Sequence, residues 1–231
     1  MSVNIEFIDT TGAIDSNYWP TPAKKSIPEW YKKLESYQGG EKRVEVGGTA
    51  INSTVKKCVP VFDAITAGYI IPFPTDVLVR IIEGKTTFHW PDFDMVRFQK
   101  AFQVNGHPLA VPGEDVPKWK NPWSIVTPKG YSCFITSPLH REAPFYNLEG
   151  VVDTDTYFNP IQFPFIMKDV SWEGILPAGS PMAQVIPFKR EKFVMSVEQK
   201  NLEKVIKANK LLNSKFFDGY KKLFWSRKEY E

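Results

Sequence analysis

The sequence has few of the side chains that form disulfides or bind transition metals. It contains two cysteines and three histidines in 231 residues, with no C-x-x-C motif and no Cys/His cluster. Cys58 and Cys133 are far apart and lie in apolar surroundings, so we expect two buried, reduced thiols and no metal site. An H-x-D motif would favour a non-haem iron site, but His89-Trp90-Pro91-Asp92 is one residue too long.

Several motifs that would indicate an enzyme or a membrane protein are also missing. There is no G-x-S-x-G, Walker loop or H-E-x-x-H sequence, so the mechanisms that these motifs serve are not indicated. No apolar run approaches the roughly 20 residues that a membrane-spanning helix needs. The opening MSVNIEFIDTT has no basic patch followed by an apolar core, unlike a secretory signal. We therefore expect a soluble, cytoplasmic protein with no membrane partner.

Aromatic residues and proline are abundant. Aromatics make up 14% of the chain, and there are 19 prolines. This combination favours a mainly β protein with short strands and rigid turns. We expect one domain over residues 1–231, with an N-terminal helical arm (1–55), a β core (56–195) and a C-terminal amphipathic helix (196–231). Within the core, residues 91–122 lack regular alternation, which predicts an irregular excursion at one end of the sheet.

The N-terminal arm carries a strand pattern and a helix-start pattern. VNIEFI at 3–8 alternates apolar and polar residues and predicts a first strand. Ser26 and Glu29 have the spacing of a capping box, with Pro28 in the first turn, so a short helix should begin there. Residues 41–55 are polar with alternating valines. They are compatible with a hairpin arm or with a mobile loop.

The excursion contains the one pair of carboxylates that stands out there. Asp92 and Asp94 flank Phe93 and would share a face if the segment were extended. Such a pair suits a metal or acid–base chemistry, whereas solvated loop residues are the commoner explanation.

The C-terminal part has helical periodicity. Ser196 and Gln199 have the spacing of a capping box. Apolar residues then recur at spacings of three and four, namely Leu202, Val205, Ile206, Leu212, Phe216, Tyr220, Leu223 and Phe224, with Gly219 as a weak point. This stripe should be buried, either on the chain's own β core, which we favour, or on a second subunit. Residues 196–231 hold nine Lys/Arg and five Asp/Glu (+4), which leaves 20 basic and 21 acidic residues (−1) elsewhere.

A cluster of aromatic residues allows two interpretations. Its members are Phe145, Tyr146, Tyr157, Phe158, Phe163 and Phe165. Aromatic side chains of this kind form stacking platforms for bases or sugars, and they also fill cores and interfaces. Basic residues are sparse around them, with only Arg141 and Lys168 near, so nucleic-acid binding is not favoured.

Several blocks resemble a family of uncharacterised proteins known as DUF6065, found in bacteria and tailed phages. The resemblance covers most of the chain and is carried by SIPEWYKKL, KKCVPVFDAITAGYIIPFPTDV, TPKGYSCFITSP, LEGVVDTDTYFNPIQFPF and PMAQVIPF. It implies no assigned activity. It does suggest a phage accessory protein, which would place the chain in the host cytoplasm.

The same blocks resemble, more distantly, the dUTPase and dCTP-deaminase superfamily. TPKGYSCFITSP is similar to its "iPkGy…v.pRSs" segment, GVVDTDTY to "GvIDsDYrG", ILPAGSPMAQVIPF to "i.kGdrIAQlif", and TAGYIIPFPTDVLV loosely to "saGyDLys". The resemblance implies a β-clip fold and a trimer whose nucleotide site lies between subunits. By position in the motif, it makes Asp153 the aspartate that positions the attacking water.

The resemblance also implies a set of ligand-binding residues. They are Ser137 in the phosphate-contacting turn, Asp155 beside the catalytic position, Tyr157 next to the position that packs under the sugar, and Gln184 of "IAQ", with His140 and Arg141 as substitutes for the motif's arginine. Three parts of the superfamily's site are missing. Ile70 replaces an acidic metal contact, Thr136-Ser137-Pro138 replaces Arg-Ser-Ser, and the helix from Ser196 replaces the glycine-rich closing arm. Phosphoryl chemistry depends on positioning and charge neutralisation, so these losses argue against dUTPase activity.

The sequence therefore predicts a non-catalytic binding or interaction protein on a dUTPase-like β scaffold. It would use a groove near Ser137, Arg141, Asp153, Asp155 and Tyr157, or a sheet face, to hold a small molecule or a protein. One alternative is a metal-dependent nucleotide or small-molecule hydrolase that uses Asp153, with Mg²⁺ as the cofactor. Another is a virion or assembly component, because β-clip domains also form oligomers.

Overall fold

The computed structural model describes residues 2–44, 51–197, 202–213 and 218–231. The protein is mainly β, with 31% strand and 20% helix, as the composition predicted. The strands are β1 (Glu6–Asp9), β2 (Thr21–Pro22), β3 (Tyr69–Pro72), β4 (Val77–Ile82), β5 (Lys85–His89), β6 (Val96–Gln99), β7 (Val116–Lys120), β8 (Trp123–Val126), β9 (Tyr131–Thr136), β10 (Phe145–Asn147), β11 (Gly150–Val152), β12 (Gln162–Met167), β13 (Gly174–Leu176) and β14 (Pro181–Lys189). The helices are α1 (Glu29–Lys33), α2 (Val59–Thr66), α3 (Leu202–Asn213) and α4 (Gly219–Leu223).

The strands form several antiparallel sheets. Their orders are β11-β9-β14-β3-β2, β10-β12-β7-β6, β13-β4-β5 and β1-β8. The nine-residue β14 lies inside the largest sheet, where it pairs with β3 on one side and with β9 on the other. It joins residues far apart in sequence, and its buried Met182, Ala183 and Val185 face the core.

The core is centred on an aromatic cluster around Trp119 of β7. The Trp119 ring stacks on Phe165 with 3.7 Å between centroids, and Phe73, Phe88 and Phe145 meet it edge-on. The expected excursion at 91–122 is therefore wrong in part, because β6 and β7 lie within it and β7 is an interior strand. Pro117 and the two lysines beside Trp119 conceal the strand pattern, since they interrupt the apolar alternation.

The N-terminal arm lies on the β core through short elements. β1 pairs with β8, and β2 adds to the edge of β3. The capping box expected at Ser26 does not form. Pro28 precedes α1 without a side-chain cap, and Ser26 instead ends a 3₁₀ turn, where its hydroxyl donates to the Ala23 carbonyl at 3.4 Å. Of the segment at 41–55, residues 45–50 lie outside the described part of the chain.

The C-terminal part differs from the expected single buried helix. It forms α3 and α4, and Gly219, the predicted weak point, begins α4. Ser196 lies before α3, and Gln199 lies outside the described residues. The stripe is exposed at Leu202, Val205 and Ile206, so the prediction that it packs on the β core is wrong for these residues. Residues 218–231 do dock there: the Trp225 indole donates to both carboxylate oxygens of Asp63, and Tyr230 packs on Tyr69.

The two cysteines have different environments. Cys133 is buried in β9 as expected, and this burial raises the pKa of its thiol. Cys58 is exposed, so the prediction of a second buried thiol is wrong. It lies between the 3₁₀ turn at Val55–Lys57 and α2, where its apolar neighbours in sequence provide no cover. Of the helices in the described ranges, none is both long and apolar enough to span a bilayer.

Candidate functional site

The residues that the sequence singled out lie at opposite ends of β9. Asp153 contacts Ser132, the second residue of the strand, whereas Ser137 follows its last residue. Ser132 and Ser137 are five positions apart along extended chain, which is roughly 17 Å at the usual rise per residue. The structure thus forms two clusters, an aspartate cluster and an arginine–glutamine cluster, instead of one groove.

The aspartate cluster is built on the turn that follows β11. The carbonyl of Asp153 accepts hydrogen bonds from the N–H groups of Thr156 (3.1 Å) and Tyr157 (2.9 Å), which closes the turn. Thr154 points inward, fully buried, and its hydroxyl lies 2.7 Å from that of Thr127. The side chains of Asp153 and Asp155 lie on one side of the turn, where both contact Arg190.

Arg190, the first residue after β14, binds both aspartates. Its Nη1 lies 2.8 Å from Asp153 Oδ1, and its two terminal nitrogens donate to the two oxygens of Asp155. The Ser132 hydroxyl donates to Asp153 Oδ1 at 2.7 Å, and the Gly130 N–H donates to Asp155 Oδ2 at 2.8 Å. The Asp155 side chain is only 1% exposed, whereas that of Asp153 is 60% exposed.

These contacts decide the protonation of the pair. Hydrogen bonds from Ser132 and then Arg190 hold the pKa of Asp153 below its usual value. The Arg190 guanidinium, followed by the Gly130 N–H, lowers the pKa of Asp155 in the same way. A general base works best with a pKa near the working pH, so both carboxylates are weak bases here. A divalent cation would have to displace Arg190 from the two carboxylates or share their oxygens with it.

The arginine–glutamine cluster lies at the other end of β9 and is occupied by backbone contacts. Gln184 is fully buried: its Nε2 donates to the carbonyls of Ala64 (3.0 Å) and Ala67 (2.7 Å), and its Oε1 accepts from the Leu139 N–H at 2.9 Å. Every polar atom of the side chain thus has a partner within the protein. These bonds tie β14 to α2 and to the loop after β9.

Arg141 joins the loop after β9 to the N-terminal arm and to α2. Its guanidinium donates to the carbonyls of Ser26 (3.0 Å), Ile65 (3.1 Å), Ala23 (3.3 Å) and Leu139 (3.1 Å). Burial lowers the pKa of Arg141 to about 10, and within the described part of the chain no carboxylate forms an ion pair with it. The charged guanidinium therefore holds these peptide carbonyls together, and its N–H groups are not free to bind a ligand.

The remaining predicted ligand-binding residues are also divided. Ser137 Oγ accepts a hydrogen bond from the buried Asn147 backbone at 2.8 Å, so the hydroxyl is part of the fold. His140 has a positive φ of 55°, and its carbonyl accepts from the Trp30 indole at 2.8 Å. Tyr157 is exposed beside the aspartate turn. Of the aromatic cluster, Phe145, Phe163 and Phe165 are core residues, whereas Tyr146, Tyr157 and Phe158 are exposed.

The carboxylates of the irregular segment do not form a metal site with other ligands. Asp94 pairs with Lys120 of β7, which accounts for one of the two expected carboxylates. Across the described ranges, no group of three or more Asp, Glu, His or Cys side chains is arranged to hold a metal ion.

A surface that the sequence reasoning did not anticipate follows Arg190. Phe193, Val194, Met195 and Val197 are between 82% and 88% exposed, and Leu202, Val205 and Ile206 of α3 are between 49% and 66% exposed. We call these seven residues the tail surface. The chain is fixed on both sides of it, at Arg190 by the two aspartates and from Asp218 onward by Lys57 and Asp63. The consecutive apolar residues FVM after a strand were the available signal.

No model of a known protein family matches the chain, and no curated protein sequence matches it significantly. The DUF6065 and dUTPase-like resemblances therefore stay predictions. The function has to be inferred from the contacts and exposure of the described residues.

Proposed function

We propose that the protein is a non-catalytic interaction protein that associates with further copies of itself through the tail surface. The observation that carries the proposal is the exposure of seven apolar residues within residues 193–206, in a chain segment fixed to the β core on both sides. Large apolar side chains that are exposed in this number within one short segment mark an interaction site more often than a free surface.

The size of this surface supports a second copy as the occupant. Added over the seven residues, the exposed fractions amount to on the order of 1,000 Å² of accessible surface, enough to supply the about 800 Å² that each partner buries in a standard interface. α3 has 12 residues, and a helix of that length is marginal in water without tertiary contacts. Among its described side chains, only Ala208 and Leu212 are half-buried. Association would provide the missing contacts.

The state of the aspartate cluster supports a role without catalysis. Asp153 and Asp155 hold Arg190 in place, and this residue begins the tail. They thereby fix the point at which the tail leaves the sheet. A trimer on a β-clip scaffold, as the resemblance implies, and a role in phage assembly are compatible with self-association and form the finer part of the proposal.

Sedimentation analysis of matched helix variants tests the proposal. Val205→Ser/Ile206→Ser changes the apolar side of α3, and Lys204→Ser/Lys207→Ser changes its exposed polar side with the same introduced residue. We expect the wild type to associate in the micromolar range, the first variant to associate at least tenfold more weakly, and the lysine variant to keep its association. A wild-type monomer at 100 µM, or equal effects of the two variants, would overturn the proposal. Deoxynucleotide hydrolysis that disappears in Asp153→Ala would establish the hydrolase alternative instead.

A further inference from the structure

A cavity of about 430 Å³ opens where the chain enters β10 and leaves β12. The two segments are held together by a hydrogen bond from the Lys168 N–H to the Pro144 carbonyl at 2.8 Å. The walls of the cavity are Glu142, Ala143, Pro144, Lys168, Asp169 and Trp172. None of these residues belongs to the aspartate cluster, the arginine–glutamine cluster or the tail surface. The pocket is open to solvent, so it would hold the end of one side chain and not enclose a whole ligand.

Trp172 is a fixed aromatic wall of this cavity. Its backbone N–H donates to the Asp169 carbonyl at 3.1 Å, which closes a turn over residues 169–172. Its ring lies on Gly174, since a Cβ at that position would be only 2.8 Å from Trp172 Cζ2. The indole N–H has no hydrogen-bond partner among the residues that the structure describes. The ring thus packs against Gly174 and the hydrophobic core, with a free donor at its edge.

Three charged side chains surround the ring, two acidic and one basic, and they differ in the contacts that they already make. Asp169 Oδ1 accepts from the Ser171 N–H (2.8 Å) and hydroxyl (2.6 Å), and these bonds lower the pKa of Asp169, which keeps it ionised. Glu142 is exposed and forms no ion pair with any described residue. Lys168 is the basic member, and its ammonium lies 4.4 Å from the centre of the Tyr146 ring. The cavity therefore offers two carboxylates, and its own cation is already placed on an aromatic ring.

We propose that this cavity binds the guanidinium group of an arginine side chain. A guanidinium is planar, so it stacks on an indole face while its in-plane N–H groups donate to carboxylates. Trp172 would supply the face, and Glu142 and Asp169 would supply the acceptors. An ammonium has no plane to stack and is more strongly hydrated, so a lysine side chain should bind less well. This inference does not depend on the tail surface.

The probe is N-acetyl-arginine amide, which has no charge other than its guanidinium. The readout is the NMR signal of the Trp172 indole N–H, identified by its loss in Trp172→Phe. We expect a saturable shift of this signal with the arginine compound and none with N-acetyl-citrulline amide, its uncharged analogue. Lysine amide acetylated at Nα, which keeps its side-chain ammonium, should bind more weakly than the arginine compound.

Three variants separate the site from a nonspecific effect. Glu142→Gln and Asp169→Asn should each weaken binding about threefold, the loss expected for one exposed ion pair. Asparagine retains the oxygen that Ser171 binds, so the turn is kept. Glu114→Gln removes an exposed carboxylate outside the cavity and should change nothing. Equal shifts with arginine and citrulline, no shift at all, or unchanged binding in both cavity variants would overturn the proposal.

Discussion

The guanidinium of Arg190 meets the carboxylate of Asp155 through two parallel hydrogen bonds, and the Asp155 side chain is almost completely covered. This contact joins the end of β14 to the turn after β11, across the beginning of β9. The Arg190 N–H also donates to the Gly130 carbonyl at 2.8 Å, so the residue closes this end of the sheet with its backbone and its side chain. The same residue is the point at which the tail leaves the sheet.

Stability should depend on this contact in a defined pH range. The folded-state pKa values of Asp153 and Asp155 lie below the ordinary 3.8, so the unfolded chain binds more protons at acidic pH. Their stabilising contribution is complete well above pH 4 and is lost as the pH falls through the folded-state values. We expect Arg190→Gln to lower the urea midpoint at pH 7, and this difference from wild type to shrink steadily below about pH 4.

The neighbouring Lys189 provides the control for that measurement. It pairs with Glu191 at 2.9 Å, and both side chains are more than half exposed. Lys189→Gln should therefore change the midpoint little at any pH, because exposed pairs are screened by solvent. If Arg190→Gln matched Lys189→Gln at pH 7, the contact between Arg190 and the aspartates would contribute nothing to stability.

A local pattern in the sequence was sufficient for the first strand. VNIEFI at 3–8 was predicted as a strand, and its second half lies in β1, because the alternation of apolar and polar residues acts over a few positions. β7 was missed, since its burial is decided by Phe165 and Phe73, which lie far away in sequence. The stripe of α3 was interpreted as buried because periodicity shows which side is apolar but not what covers it.

In the candidate site, too, contacts between residues far apart in the sequence were not predicted. Asp153 and Asp155 lie close together because they are two positions apart in one turn, which the sequence alone makes evident. The sequence did not indicate Arg190, whose partners lie 35 or more residues earlier in the chain. It also did not show that Arg141 and Gln184 are occupied by backbone carbonyls, because such contacts leave no mark on the sequence.

Arg141 should be necessary for the attachment of the N-terminal arm. Replacement by methionine keeps an unbranched stem as far as the ε position but removes the terminal donors, which leaves the carbonyls of Ala23, Ser26 and Ile65 without this partner. We expect Arg141→Met to lower the free energy of unfolding by about 3 kcal/mol, since hydrogen bonds from a charged donor contribute more than neutral ones. Limited proteolysis should then cut the arm before the β core.

The matched control for that variant is Arg97→Met on β6. Arg97 is exposed and forms no ion pair with any described residue, so its replacement should change the unfolding free energy by no more than about 0.5 kcal/mol. Equal effects of the two replacements would contradict a role for Arg141 in holding the arm. Protection of the arm from protease in Arg141→Met would contradict it as well.

Gly68 should tolerate a side chain less well than the other glycines whose surroundings the structure describes. It precedes β3 with a φ of +63°, and a Cβ there would lie 1.9 Å from the carbonyl oxygen of Val185 in β14. Since the obstructing atoms are backbone, β3 and β14 would have to separate, and the Gly68 carbonyl that accepts from Ala23 would shift with them. We expect Gly68→Ala to lower the free energy of unfolding by more than about 4 kcal/mol, which is in the exceptional range for one substitution.

Gly84→Ala is the control for the strain of a positive φ alone. Gly84 has a similar φ of +74° with open space around its Cβ position, so its replacement should lower the free energy of unfolding by only about 1–2 kcal/mol. Chemical denaturation of both variants measures the difference, and equal costs would show that β14 does not constrain this position.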